Sequence, residues 1–500
     1  MQNGFNLNNR KVLPIWHNYK SAMSLGELGF SGKVHSHDYS NLLKYSYDLW
    51  RDKGTLPYAS ELLSVSELSG DYSNVKEAAE LILHNKNILS SNIVHIAKKA
   101  LNYKNMKSED YCLNENGVAL VRGEIKQLRS LLRFNIKNSI AWIVLARNYL
   151  LTGEMNKSKK AIEIAMNIAP TNRFIIRSAA RFYIHQGNVG RAHYILRNSE
   201  SVKYDPWILA SELAVAQFNK RSSDYIKIAR KIVSSNSFSS FEISELNSAL
   251  ATYEIEAGSN KKAREYFIKS LINPNDNSYA QGVWASKEMN NDRLREIIRK
   301  LNKIPCAYEA NARKFRESGN WREAIDSAKL WSREEPYSSH AVSLASYISS
   351  ACYGEYEESL SLMLGCIPSV RENAVIKNNI AFDYLNLNKI SEAEKLLSQK
   401  ITFTNKSNEI AFTATSGLLE YRKGNLQKGR ILYNKAISLA QANNKWDYVI
   451  QASLYLAREE HRVGTDYCKE IIEYVEKVLK NSNDKVVLCL YDRIKKEILS

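Results

Sequence analysis

What this 500-residue chain has little of narrows it first. Its six cysteines, Cys112, Cys306, Cys352, Cys366, Cys468 and Cys489, form no CxxC pair. That excludes a disulfide framework or a cysteine zinc site and leaves buried free thiols. Only eight prolines interrupt the chain, so few points deny a helix its backbone donor. No 18 consecutive apolar residues suggest a membrane span, and the opening MQNGFNLNNRKVLPIW lacks the apolar run of a signal peptide. A cytoplasmic protein with no membrane partner is expected. No stretch alternates apolar and polar residues with turn signals at strand spacing, which predicts an all-α chain.

The motifs of catalysis are missing as well. There is no G-x-S-x-G elbow, no HExxH and no GxGxxG. The run Gly26 to Val34, GELGFSGKV, fails as a phosphate loop because Glu27 stands where the first glycine belongs and Val34 where Ser or Thr must follow Lys33. The stretch His35 to Asp38 offers two alternate histidines beside a carboxylate, but no further Cys or His cluster completes a ligand set. A non-enzymatic chain without metal or cofactor is expected.

What is present is a repeat. From Ser139 to Ser199 an apolar helix, a Gly-centred turn and a second apolar helix occur twice, with Gly153 and Gly187 lying 34 residues apart. In the first copy Trp142, Leu145, Ala146, Tyr149, Gly153, Ser158, Ile162, Ala165 and Pro170 follow the pattern W-x2-L-G-x2-Y, A-x3-F and P. The chain thereby resembles the tetratricopeptide repeat family. That resemblance implies a right-handed α-solenoid of tetratricopeptide-type helical hairpins, whose first helices line a curved inner surface for partners.

The organisation expected along the chain follows. Residues 1–38 form an irregular N-terminal segment with one helix and much loop. Residues 39–103 make degenerate helical pairs, and 104–138 a connection and a basic helix. The repeat solenoid spans 139–445, and three helices over 446–500 close it. The third repeat lacks the diagnostic glycine, whereas GNWREAI, from Gly319, restores a typical turn. Abundant Asn, Lys, Ser and Ile point to a bacterial source.

Charge is unevenly spread. The chain carries 70 Lys and Arg against 53 Asp and Glu, a formal net charge of +17, so its field attracts acidic partners. Arg173, Arg177 and Arg181 recur every four residues, and His185 continues their face. No acid accompanies this stripe at i+4 spacing, which predicts an exposed groove for an anionic partner. In the tetratricopeptide register the stripe falls on groove-facing positions, and Arg147 corresponds to Arg181. The two resemble the basic pair with which chaperone-binding members of the family hold a carboxylate-ended peptide. The full clamp also uses asparagines and a lysine at places held here by residues such as Ile143, which argues against a C-terminal carboxylate.

The expected function is therefore a protein-interaction scaffold or adaptor, a subunit of a bacterial multi-protein system. It would take an acidic segment of a partner on Arg147, Arg173, Arg177, Arg181 and His185, extended by Arg313 and Arg316. The alternative is a nucleic-acid-binding subunit, for example of a phage-defence complex. It would use the second basic stripe, Arg122, Lys126, Arg129, Arg133 and Lys137, spaced for one helix face. His185 and His193 straddle the Gly187 turn and are expected at the groove or the surface.

Overall fold

The structure is a computed structural model that describes residues 10–28, 39–69, 72–89, 91–102, 115–235, 237–301, 304–399, 403 and 405–499. It is all-α, with no strand among the described residues. A short helix α1 (Tyr19–Ser24) precedes α2 (Tyr39–Lys53), α3 (Leu56–Ser69), α4 (Lys76–His84) and α5 (Ser91–Asn102). The long α6 (Glu115–Phe134) leads into successive hairpins. These are α7 (Ser139–Leu151) with α8 (Met155–Ile168), α9 (Arg173–His185) with α10 (Val189–Arg197), and α11 (Pro206–Phe218) with α12 (Ile226–Ser234). Next come α13 (Ser244–Glu256) with α14 (Asn260–Ser270), α15 (Asp276–Glu288) with α16 (Asp292–Lys300), and α17 (Tyr308–Ser318) with α18 (Trp321–Glu334). After α19 (Ser339–Ile348) with α20 (Tyr356–Leu364) a short α21 (Pro368–Arg371) precedes α22 (Ala374–Asn386) and α23 (Ile390–Leu397). The stack ends with α24 (Lys406–Arg422), α25 (Leu426–Ala442), α26 (Trp446–Arg462), α27 (Tyr467–Val478) and α28 (Lys485–Leu499). It is a solenoid of tetratricopeptide-type hairpins.

Local chemistry sets each hairpin. Asn138, Asn172 and Asn275 accept backbone N–H bonds at the starts of α7, α9 and α15. Asp205 does the same for α11, where Pro206 supplies a pre-set φ. The turn inside each hairpin needs a left-handed residue, and Gly153, Gly187, Gly258, Gly319, Gly354, Gly424 and Gly464 hold φ between +72° and +84°. Where the sequence has no glycine the geometry persists: Lys220 at φ 54°, Asn290 at 45° and Asn388 at 59° occupy the same hinge. The third repeat is thus regular in shape although irregular in sequence. Ala146, Ala161 and Ala165 are buried where α7 meets α8, and Ser158 Oγ donates across that contact to Ala146 O at 2.8 Å. Small side chains there let the helices approach closely.

The solenoid then curls back on itself. A single core cluster joins residues of α7 to α13 with Tyr337, Val342, Leu360, Met363, Val370 and Ile380. Arg147 Nη2 donates to Glu334 O at 2.8 Å, and the Gly153 turn abuts Pro368. The concave face becomes an enclosed channel, and the N-terminal segment runs through it. Val12, Trp16 and Ala22 of that segment are fully buried in the same core. Within the segment expected to be irregular, the described residues 10–28 hold the helix α1 and a loop in which Val12, Ile15 and Trp16 are buried.

Candidate functional site

The channel reads the N-terminal segment as a peptide, with side chains gripping its backbone. Gln281 Nε2 donates to Arg10 O at 2.9 Å, and Asn277 Nδ2 to Leu13 O at 3.0 Å. Tyr337 Oη accepts from Trp16 N at 3.1 Å and donates to Trp16 O at 2.8 Å. Glu334 Oε1 accepts from Asn18 N at 2.8 Å. Side-chain contacts then fix the register: Arg10 bonds Glu309 at 2.8 Å and Asn277 at 2.9 Å, and the Trp16 ring lies against Phe182 and Tyr337.

Deeper in, buried ionic groups meet one another. His17 bridges two carboxylates, with Nδ1 2.9 Å from Glu27 and Nε2 2.8 Å from Asp276. Burial alone would depress this imidazole, but Glu27 and Asp276 raise it well above its ordinary value. Glu27, for which burial acts in the raising direction, is held below the usual range by His17, Arg177 and Arg173. Arg177 Nη1 meets Glu245 at 2.7 Å, and Nη2 reaches Glu27 at 3.3 Å. Burial opposes the charge on Arg177, and Glu245 and Glu27 more than offset it.

These contacts correct the expectation of an exposed basic stripe. Arg177 is 0% exposed, and Arg147, Arg173, Arg313 and Arg316 are buried as well. Arg173 pairs with Asp205 at 2.7 Å and Arg181 with Glu335 at 2.7 Å. Arg313 pairs with Glu309 at 2.7 Å, and Arg316 with Glu317 at 2.9 Å and with Asp484. Spacing along α9 misses the acids that meet Arg173, Arg177 and Arg181 because they come from other repeats and from the N-terminal segment, whereas Arg313 and Arg316 have Glu309 and Glu317 on their own helix and Asp484 comes from just before α28. Trp207 covers the stripe too, its ring 5.1 Å from the Cζ atoms of both Arg173 and Arg177. His193 is buried against Glu212 at 3.1 Å rather than lying at the groove or surface. The sequence signal that would have found the strap is VLPIW, an apolar run too short to span or to pack alone.

One part of the channel stays open. A chamber of about 780 Å³ lies between the N-terminal segment, the end of α9, α17 and residues 331–340. Of the residues expected to bind a partner, Arg181, His185 and Arg313 line it, and Arg147, Arg173, Arg177 and Arg316 do not. His340, Trp331 and Tyr337 also line it, none of them anticipated from the sequence. His185 packs edge-on against Tyr337 with ring centroids 5.7 Å apart.

Arg122, Lys126, Arg129, Arg133 and Lys137 are all exposed, on α6 and just past its end, and form no ion pair among the described residues. The His35 to Asp38 stretch lies outside the described residues. Among those described no group of three or more His, Cys, Asp or Glu is placed to hold a metal, and no helix is long and apolar enough to cross a membrane.

No family model matches the chain, and no curated protein matches its sequence. Solved structures do align over most of its length. One chain of the APC/C hetero-tetramer Cut9-Hcn1 covers 91% of this chain and 93% of its own, at 12% identity and a TM-score of 0.39. Human IFIT1 in a dimer with PPP-AAAA covers 94% and 96%, at 15% identity and 0.29. A monomeric IFIT1 mutant with m7Gppp-AAAA covers 96% and 100%, at 13% identity and 0.28. At these scores the likenesses carry no argument about function, and the fold rests on the helices themselves.

Proposed function

We propose that this protein is a non-enzymatic interaction scaffold, the subunit of a larger assembly, that takes an acidic segment of a partner protein into the open chamber of its channel. The observation that carries this reading is the chemistry of the channel. Its walls hold an extended segment by side-chain bonds to successive backbone groups, Arg10 O, Leu13 O, both backbone groups of Trp16, and Asn18 N. The same wall continues into the chamber, where Arg181, Arg313 and His185 supply donors to carboxylates. A pocket of this size falls in the range of about 300–1,000 Å³ that ligand clefts occupy.

The test is recovery of the partner from native cells with and without nuclease. Wild-type chain is compared with the double variant His185→Glu, His340→Glu. The variant places negative charge beside Arg181 and Arg313. A stoichiometric protein that survives nuclease and is lost with the double variant is expected. Retention at wild-type level sinks the chamber as the docking place.

A second reading keeps the exposed stripe on α6. Arg122, Lys126, Arg129 and Arg133 on one face of α6, with Lys137 just past its end, would make a phosphate track, and neutralising several of them on binding gives a steep fall of affinity with salt, a log–log slope of about −0.9 per phosphate contact on duplex DNA. Reversing Arg129 and Arg133 to Glu would cut nucleic-acid binding and flatten that slope, while the chamber-dependent protein complex would persist.

A further inference from the structure

We propose that Cys352 and Cys489 form a peroxide-reactive dithiol site, which closes to a disulfide tying the last helix, α28, to the turn that ends α19.

The two thiols are distant in sequence and meet through the packing of α28. After Ile348 the backbone of α19 widens into a π-helical turn, Ser349–Tyr353, which Gly354 ends at φ 72°. Arg493 of α28 reaches into that turn, where Nε donates to Ala351 O at 2.9 Å and Nη2 to Ser350 O at 3.3 Å. Its guanidinium comes so close that a Cβ added at Gly354 would stand 3.0 Å from Nη1. Cys489 lies one helical turn before Arg493 on the same face, and Cys352 directly follows Ala351. The side chains therefore meet, and the two thiols hydrogen-bond each other. Both belong to the same apolar cluster, Cys352 as a buried member at 8% exposure and Cys489 at its half-buried margin.

The surroundings divide the roles, because the thiolate is the nucleophile. Cys489 is the more accessible sulfur. The hydrogen bond from Cys352 lowers its thiol most, to about 7, and Arg493 and the Trp321 indole lower it further, while burial and Asp492 act the other way. Cys352 is raised instead, by donating that hydrogen bond and by burial. Cys489 is thus the attacking thiolate and Cys352 the resolving thiol. Cys306 shows the contrast, since burial, Glu334 and Asp276 push it up to about 11. An accessible thiolate beside a resolving thiol is the arrangement that a hydroperoxide oxidises selectively. The Cys489 sulfur attacks one peroxide oxygen, an S–O bond forms as the O–O bond breaks, and the departing hydroxide takes a proton to leave as water. The Cys352 sulfur then attacks the sulfenic sulfur, the S–S bond forms as S–O breaks, and a second water carries off the Cys352 proton. Two thiols lose two electrons and one peroxide gains them. The product adds a covalent tie to a helix that Val486, Val487, Leu490 and Ile494 already bury against the stack, and so slows its local opening.

Treating the reduced full chain with hydrogen peroxide, followed by alkylation, proteolysis and mass spectrometry, tests this. A peptide joining Cys352 to Cys489 and released by dithiothreitol is expected, with amide exchange in α28 slowed by about tenfold in the oxidised chain. Cys352→Ser keeps a hydroxyl donor beside Cys489, so its oxidation should stop at a sulfenic acid on Cys489 that dimedone traps. Cys489→Ser should leave Cys352 a thiol, circular dichroism confirming the fold of both variants. If Cys352 and Cys489 of the wild-type chain stay reduced, or link to other cysteines instead, the dithiol site is overturned. A sulfenic acid trapped on Cys352 in the Cys489→Ser variant overturns the division of roles. A Cys352–Cys489 disulfide that leaves exchange in α28 unchanged overturns the tie.

Discussion

Replacing Arg177 by methionine removes the charge at the centre of the channel while keeping an apolar side chain of comparable reach. Glu245 and Glu27 then face each other's surroundings without the guanidinium that meets them at 2.7 Å and 3.3 Å, and Ser211 Oγ and Trp207 O lose a donor. Breaking a fully buried pair by removing one partner costs about 3–5 kcal/mol. Glu245 keeps the amide donors of Asn275 at 2.8 Å and Asn277 at 3.3 Å, and Glu27 keeps His17. The expected loss therefore sits at the low end, about 3 kcal/mol, or roughly a hundredfold in the local opening equilibrium. A long repeat array need not unfold in one step, so amide hydrogen exchange is the right assay. Exchange should accelerate by about that factor in residues 10–28, α9, α11 and α13, and much less in α24 to α27. Adding Glu245→Gln should recover part of the loss, because it removes one of the orphaned charges. If Arg177→Met changes exchange in residues 10–28 by less than about threefold, the ionic network is not what seats the strap.

Further outcomes are expected. The His17 imidazole is raised when folded, so its stabilisation is fully present below its ordinary value of 6.5 and fades as pH rises through the folded value. Thermal melts from pH 6 upward should show a loss that His17→Gln removes. Trp16→Ala empties a fully buried site and should cost about 3–5 kcal/mol, read as protease sensitivity in the N-terminal segment. Asn172→Ala deletes the cap that accepts Ile175 N at 3.1 Å and should cost about 1 kcal/mol, seen as faster exchange in the first turn of α9. Lys220→Gly, at a hinge with φ 54°, should stabilise the third hairpin or leave it unchanged, whereas a β-branched residue there should destabilise it.

The architecture was legible because it is written locally. Helical periodicity, asparagine caps and left-handed turn residues act over a few positions, and they recur often enough for Gly153 and Gly187 to announce the repeat. The α6 stripe was legible for the same reason, since residues three and four apart share a face on any helix. The fate of Arg173, Arg177, Arg181, Arg313 and Arg316 was not legible. Spacing along one helix finds no acid beside Arg173, Arg177 and Arg181, while Glu309 and Glu317 stand on the same helix as Arg313 and Arg316. It had no access to Asp205, Glu245, Glu335 or Asp484, nor to Glu27 at the far end of the chain. Those partners meet the arginines only when neighbouring repeats stack, distant ones come together and the N-terminal segment enters between them. The sequence by itself determined a stack of hairpins with a basic inner face. Tertiary structure decided that most of this face is already neutralised, because desolvated charges must find partners wherever the fold brings them. It also decided that Arg181, His185, Arg313 and His340 line an open chamber.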